Sequence, residues 1–209
     1  MAPSVGLVRQ SDKRPKAETM NETLTADKPT TSAEAVPAQA ATGERADLLV
    51  ALAKQRHFLR FTTRDLTDEQ AGLRTTASEL CLGGLIKHVT SVERLWANFI
   101  LEGPSAMPDF TTWTEADFAR RADEFRLLPA ETLAGVLADY EEVARLTDEL
   151  VVTLPDLSAT QPLPKAPWFE ADAEWSARRV LMHVIAETAQ HAGHADILRE
   201  SLDGAKSMG

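Results

Sequence analysis

One stretch carries most of the chemistry this chain could perform. In "HVIAETAQHAGHAD", residues 183–196, His183, Glu187, His191 and His194 fall within twelve positions and include three of the chain's five histidines. The flanks "RRVLM" and "ILRE" read as helical. A helical residue advances about 100°, so with His183 at zero, Glu187 lies at about 40°, His191 at about 80° and His194 at about 20°. All four share one face, flanked by Val184, Ile185 and Ala195, on the side expected to meet a core. Unpaired buried polar groups are costly, so hydrogen bonds, water or a metal must satisfy them.

Helix geometry restricts the metal reading. At about 1.5 Å rise per residue, His183 and His191 are about 12 Å apart along the axis and cannot share one ion. The open pairs are His183 with Glu187, Glu187 with His191, and His191 with His194. An i, i+4 pair places two side chains one above the other, within reach of one ion. A third ligand must come from another helix. His88 is the first candidate, on an apolar stripe between Leu85 and Val92, whereas His57 sits among Lys, Gln and Arg and reads as a surface group. His88, Glu187 and His191 together would supply three N/O ligands and leave a position open, the catalytic rather than the structural pattern for zinc. The bland alternative makes His88 a hydrogen-bonded core residue. HExxH is absent, which argues against a zinc-protease helix. A pair of ExxH motifs is also absent, which argues against a ferritin-like di-iron bundle.

The elements that must hold these residues are helices. "ERADLLVALAKQRHFLRFTT" clusters Leu48, Leu49, Leu52, Phe58, Leu59 and Phe61 at three- and four-residue spacing. "LGGLIKHVTSVERLWANFILEG" does the same with Leu85, His88, Val89, Val92, Leu95, Trp96 and Phe99, and Gly103-Pro104 ends it. "TEADFARR" is a short helix with Thr114 as N-cap and Asp117 in its first turn. "ETLAGVLADYEEVARLTDELVVTL" aligns Leu133, Val136, Leu137, Tyr140, Val143, Leu146 and Leu150 before Pro155. "LSATQPLPKAPWFEADAE" reads as a loop, and a last helix runs from about Ser176 to Asp203 with Gly204 as its stop. Four long helices predict an all-α four-helix bundle over residues 44–209. Residues 1–43, rich in Ala, Thr, Pro, Lys and Glu, read as a disordered extension.

Composition bounds the function. Lys plus Arg total 22 against 32 for Asp plus Glu, a net charge of -10, which argues against a nucleic-acid partner. No apolar run approaches the roughly eighteen residues of a membrane span. The start lacks the apolar core of a secretory signal. One cysteine, Cys81, cannot form an internal disulfide, so a cytoplasmic location is expected.

"LGGLIKHVTSVERLW" followed by "EWSARRVLMHVIAETAQHAGHADILRESLDG" resembles the DinB-like superfamily. More narrowly it is similar to the actinobacterial mini-circle branch, near the N-terminal domain of mycothiol-dependent maleylpyruvate isomerase. The resemblance covers about residues 44–206. It implies a four-helix bundle holding a divalent metal, usually zinc, through a histidine of the second helix, here His88, and two residues four apart on the last helix. Many members have histidine at both of those positions; this chain has Glu187 and His191. The resemblance also implies that a low-molecular-weight thiol, mycothiol in actinobacteria, is brought to the metal. Coordination deprotonates a thiol outright, and the thiolate is the nucleophile. On this reading Cys81 is dispensable, a small buried residue.

Other candidates are weaker. His194 would be a proton acceptor for the thiol or a group behind the ligands, and His183 would hold Glu187 by a hydrogen bond. Trp96, Trp168 and Trp175 would wall a pocket, although aromatics at helical spacing are more often core. Arg178 or Arg179 would bind an anionic thiol or substrate, against the plainer reading of a solvated helix start. Asp196 could orient an imidazole. The leading expectation is a metal-dependent thiol S-transferase acting on a small electrophile. The alternatives are an isomerase or hydrolase using metal-bound water at the same ligands, and a non-enzymatic bundle with structural histidines. Homodimerisation is left open.

Overall fold

The structure, a computed structural model, describes residues 41–207. The expected extension over residues 1–43 therefore lies almost wholly outside the described residues. In chain order the helices are α1 (Glu44–Phe61), α2 (Asp68–Gly72), α3 (Leu82–Glu102), α4 (Glu115–Asp123), α5 (Leu133–Thr153) and α6 (Ala177–Asp203). Helix α1 packs on α5 and α6, and α3 packs on the same two. The four long helices thus form the expected bundle, with α1 diagonal to α3 and α5 diagonal to α6. Side-chain caps begin three of them. The Cys81 sulfur accepts from Gly84 N–H at 3.4 Å, Thr132 Oγ1 from Gly135 N–H at 3.1 Å, and Ser176 Oγ from Arg179 N–H at 3.2 Å. Gly204 ends α6 with φ of 79°, a left-handed conformation that glycine adopts without steric cost.

Two apolar clusters fill the bundle. One gathers Leu49, Leu52, Trp96, Phe99, Val151, Val180 and Leu181. The other gathers Leu59, Leu85, Ile86, Val89, Tyr140, Ala195 and Leu198. Between them each long helix contributes a buried polar residue: Arg56, Glu93, Thr147 and Thr188. Arg56 crosses the diagonal to donate to the Glu93 carboxylate, and its second arm reaches Asp148 at 2.7 Å. Burial opposes charge on this guanidinium, but Glu93 and Asp148 outweigh it and raise its pKa.

The structure corrects the linear reading at several places. The segment expected to be a loop holds a strand, β1 (Thr160–Pro162), which pairs antiparallel with β2 (Glu174–Ser176) between its end and α6, with Gln161 opposite Trp175. Strands of three residues are too short to display alternation, so only the tertiary pairing reveals them. Helix α2 was not expected either. Leu146 is exposed, and Thr147 takes the buried position beside it because its hydroxyl donates to the Val143 carbonyl at 3.0 Å. Phe61 lies at the exposed end of α1, stacked with His57 at 5.6 Å.

Candidate metal centre

Helix α3 carries His88 into the bundle, where it is buried. The neighbouring α6 presents the polar ridge to it. Val180, Leu181, Val184, Thr188, Ala192 and Ala195 form the fully buried face of α6, and His183, Glu187, His191 and His194 flank that face half-buried. The ridge is thus at the edge of the core rather than in its centre, a correction to the expected burial. That placement leaves an approach from solvent while His88 anchors the inner side.

One ligand atom from each of His88, Glu187 and His191 lies within 4.8 Å of the others. The His191 Nε2 is 3.6 Å from a Glu187 oxygen, and the His88 and His191 rings meet edge-on at 4.7 Å. The pair four apart on α6 and the lone histidine on α3 therefore converge. Donors at about 2.0–2.2 Å from a tetrahedral zinc stand roughly 3.3–3.6 Å apart, so small side-chain rotations would close this group onto one ion. Burial, with His88, His194 and Arg121 adding to it, lowers the His191 pKa from 6.5 to about 4. The ring is then neutral near pH 7, the form in which an imidazole ligates.

The remaining candidates separate clearly. His194 Nδ1 is 3.4 Å from His191 Nδ1, the ring nitrogen facing away from Glu187. His183 Nε2 is 3.9 Å from Glu187, too far for the expected hydrogen bond. Its ring instead packs edge-on to Trp96 at 4.8 Å and to Trp175 at 5.3 Å. Burial lowers the pKa of His183. Trp96 and Trp175 stack at 4.9 Å, with the Arg179 guanidinium 4.5 Å over the Trp175 ring. Trp168 is exposed and contacts Phe110 and Phe169 instead. Arg178 is not brought to the cluster. It pairs with Glu44 and donates to Ser158 Oγ at 3.1 Å. Its position nine residues before Glu187 places it about 180° around the helix. Asp196 accepts from Ser207 N–H at 2.6 Å and orients no imidazole. Cys81 is buried, as expected. His57 is exposed and remote from the cluster in sequence and packing.

Linear reading missed the residues that follow α4. Glu124 Oε2 stands 3.7 Å from His88 Nδ1, and the Phe125 ring stacks on His88 at 4.1 Å. The sequence did hold one signal, the Gly83-Gly84 pair ahead of His88, which leaves a bare strip on α3 where another segment can press.

Comparison with known proteins addresses the same region. The family model described as "Mycothiol-S-transferase" matches residues 47–204. No curated protein matches the chain. Among solved structures, the crystal structure of an uncharacterised protein from Escherichia coli UTI89 is similar at a TM-score of 0.50, with 17% identity over 75% of this chain and 93% of that one. At that identity the likeness concerns the fold alone.

Proposed function

The chain belongs to the mycothiol-S-transferase family, a DinB-like family, and from that premise we propose that it is a metal-dependent thiol S-transferase. The observation that carries the metal dependence is the convergence of His88, Glu187 and His191 within 4.8 Å. The donors suit zinc: two imidazoles and one carboxylate, with a position left for a ligand from outside the protein. When bound there, a divalent metal supplies the thiolate by lowering the pKa of mycothiol.

The protein's own groups do the rest. His191 turns Nε2 toward Glu187 and Nδ1 toward His194, so His194 fixes the tautomer and orientation of the ligand ring. His194 is on this reading an orienting group first. Trp175, half-buried against the core residue Trp96, forms an apolar wall beside His183, against which the body of a small electrophile lies. The net change is a transfer: a sulfur–carbon bond forms, the carbon–leaving-group bond breaks, and the thiol proton passes to solvent. The protein needs no nucleophile of its own, consistent with the enclosed position of Cys81.

The test uses mycothiol and a fluorogenic alkyl halide, with conjugate detected by mass spectrometry. Conjugate is expected to form with the untreated protein, to disappear after chelation, and to return with added zinc. Conjugation undiminished in metal-free protein would remove metal from the reaction. A metal-loaded protein that forms no conjugate with any thiol would remove thiol transfer.

A further inference from the structure

We propose that Glu124 is a positioning residue for His88, taking its Nδ1–H and leaving Nε2 as the ligand atom. The proposal rests on the reading of His88, Glu187 and His191 as a metal site. His88 Nδ1 is buried without a hydrogen-bond partner among the described residues. An orphaned buried donor costs about 1–3 kcal/mol, so a partner within reach is to be sought. Glu124 Oε2 is 3.7 Å away, and a small side-chain shift would close that to a hydrogen bond. Arg121, one turn back on α4, holds the same oxygen of Glu124. Paired with Arg121, Glu124 is a carboxylate, which only accepts.

The segment that brings Glu124 is fastened against α3 by several independent contacts. Lys87 Nζ donates to the carbonyls of Asp123 at 3.1 Å and Arg126 at 2.9 Å, and pairs with Glu131 at 2.7 Å. The Cys81 thiol points at the Phe125 carbonyl at 3.6 Å. Gly84, one turn before His88, makes the approach possible, since a Cβ there would stand 1.9 Å from the Phe125 carbonyl oxygen. The Phe125 ring covers one face of the imidazole at 4.1 Å and limits its rotation. Lys87, Cys81 and Gly84 thus hold a carboxylate and an aromatic ring on one buried histidine. A ligating histidine characteristically donates its other ring N–H to such an acceptor, which orients the ring and strengthens the ligand.

The test measures zinc affinity by competition with a chromophoric chelator in the unsubstituted protein, Glu124→Ala and Glu124→Gln. Thermal unfolding of each zinc-free protein is measured in parallel. Glu124→Ala is expected to weaken zinc binding about 10–100-fold, with zinc-free stability little changed. Glu124→Gln keeps an acceptor oxygen without the charge and is expected to fall between. If the alanine variant does not fold, the near-isosteric glutamine variant decides alone, by weaker zinc binding at unchanged stability. Zinc affinities within about twofold of the unsubstituted protein in the folded variants would overturn the role of Glu124 and leave the metal site standing. Failure of the unsubstituted protein to take up zinc would overturn both.

Discussion

His191 is constrained at both ring nitrogens, by Glu187 at 3.6 Å and by His194 at 3.4 Å. Burial, with His88, His194 and Arg121 adding to it, lowers its pKa from 6.5 to about 4, which has a consequence for stability. Between those two values the unfolded chain binds a proton that the metal-free fold refuses, so stability rises with pH across that window and falls on acidification. The metal-free protein is expected to lose thermal stability from pH 6.5 down to about 4, and His191→Asn to flatten that part of the profile. Identical slopes in the two proteins would show that His191 does not titrate this way. The ridge of α6 was legible because 3.6-residue geometry fixes which side chains share a face. His88 was legible as a polar residue on an apolar stripe. Glu124 was not, because its approach to His88 depends on the path of the chain after α4. Arg178 could have been excluded on the same wheel, which puts it opposite Glu187.

At the scale of elements, α3 is shaped by what it lacks. Gly84 admits the Phe125 backbone, and with it the contacts to His88. A methyl group there would meet backbone rather than a movable side chain, so the segment would have to part from the helix. Gly84→Ala is expected to destabilise the fold by about 1–3 kcal/mol in denaturant titration, the range typical of overpacking. Unfolding unchanged within about 0.5 kcal/mol would mean the segment moves freely, and the support assigned to it would be wrong. The long helices were readable from apolar periodicity, with Ser176 and Gly204 bounding the last of them, and Thr114 marked the start of the short α4. The β1–β2 pair was not, since each strand is three residues long and its partner is distant in sequence. Leu146 and Thr147 show the same limit, because hydropathy alone cannot foresee a threonine satisfied inside the helix by its own backbone.

The bundle is organised around a polar layer between two apolar clusters. Arg56 and Glu93, buried and paired across the bundle diagonal, tie α1 to α3, and Arg56 also reaches Asp148 of α5. Removing Glu93 leaves the buried Arg56 charge with only the partly exposed Asp148, so Glu93→Ala is expected to cost about 3 kcal/mol of unfolding free energy, the low end for a broken buried pair. A loss below about 1 kcal/mol would indicate that water reaches Arg56. The bundle itself was legible from four amphipathic segments, but the charged pair at its centre was not, because a lone Arg or Glu on a helix stripe gives no sign of its partner. On this frame His88 of α3 meets Glu187 and His191 of α6. That meeting is tested most directly by elemental analysis of untagged protein purified without added metal, beside His88→Ala, Glu187→Ala, His191→Ala and His57→Ala. About one divalent ion per chain is expected, lost in the first three variants and kept in His57→Ala. No ion in the purified protein and none taken up on titration, or an ion that survives His88→Ala and vanishes with His57→Ala, would contradict the site.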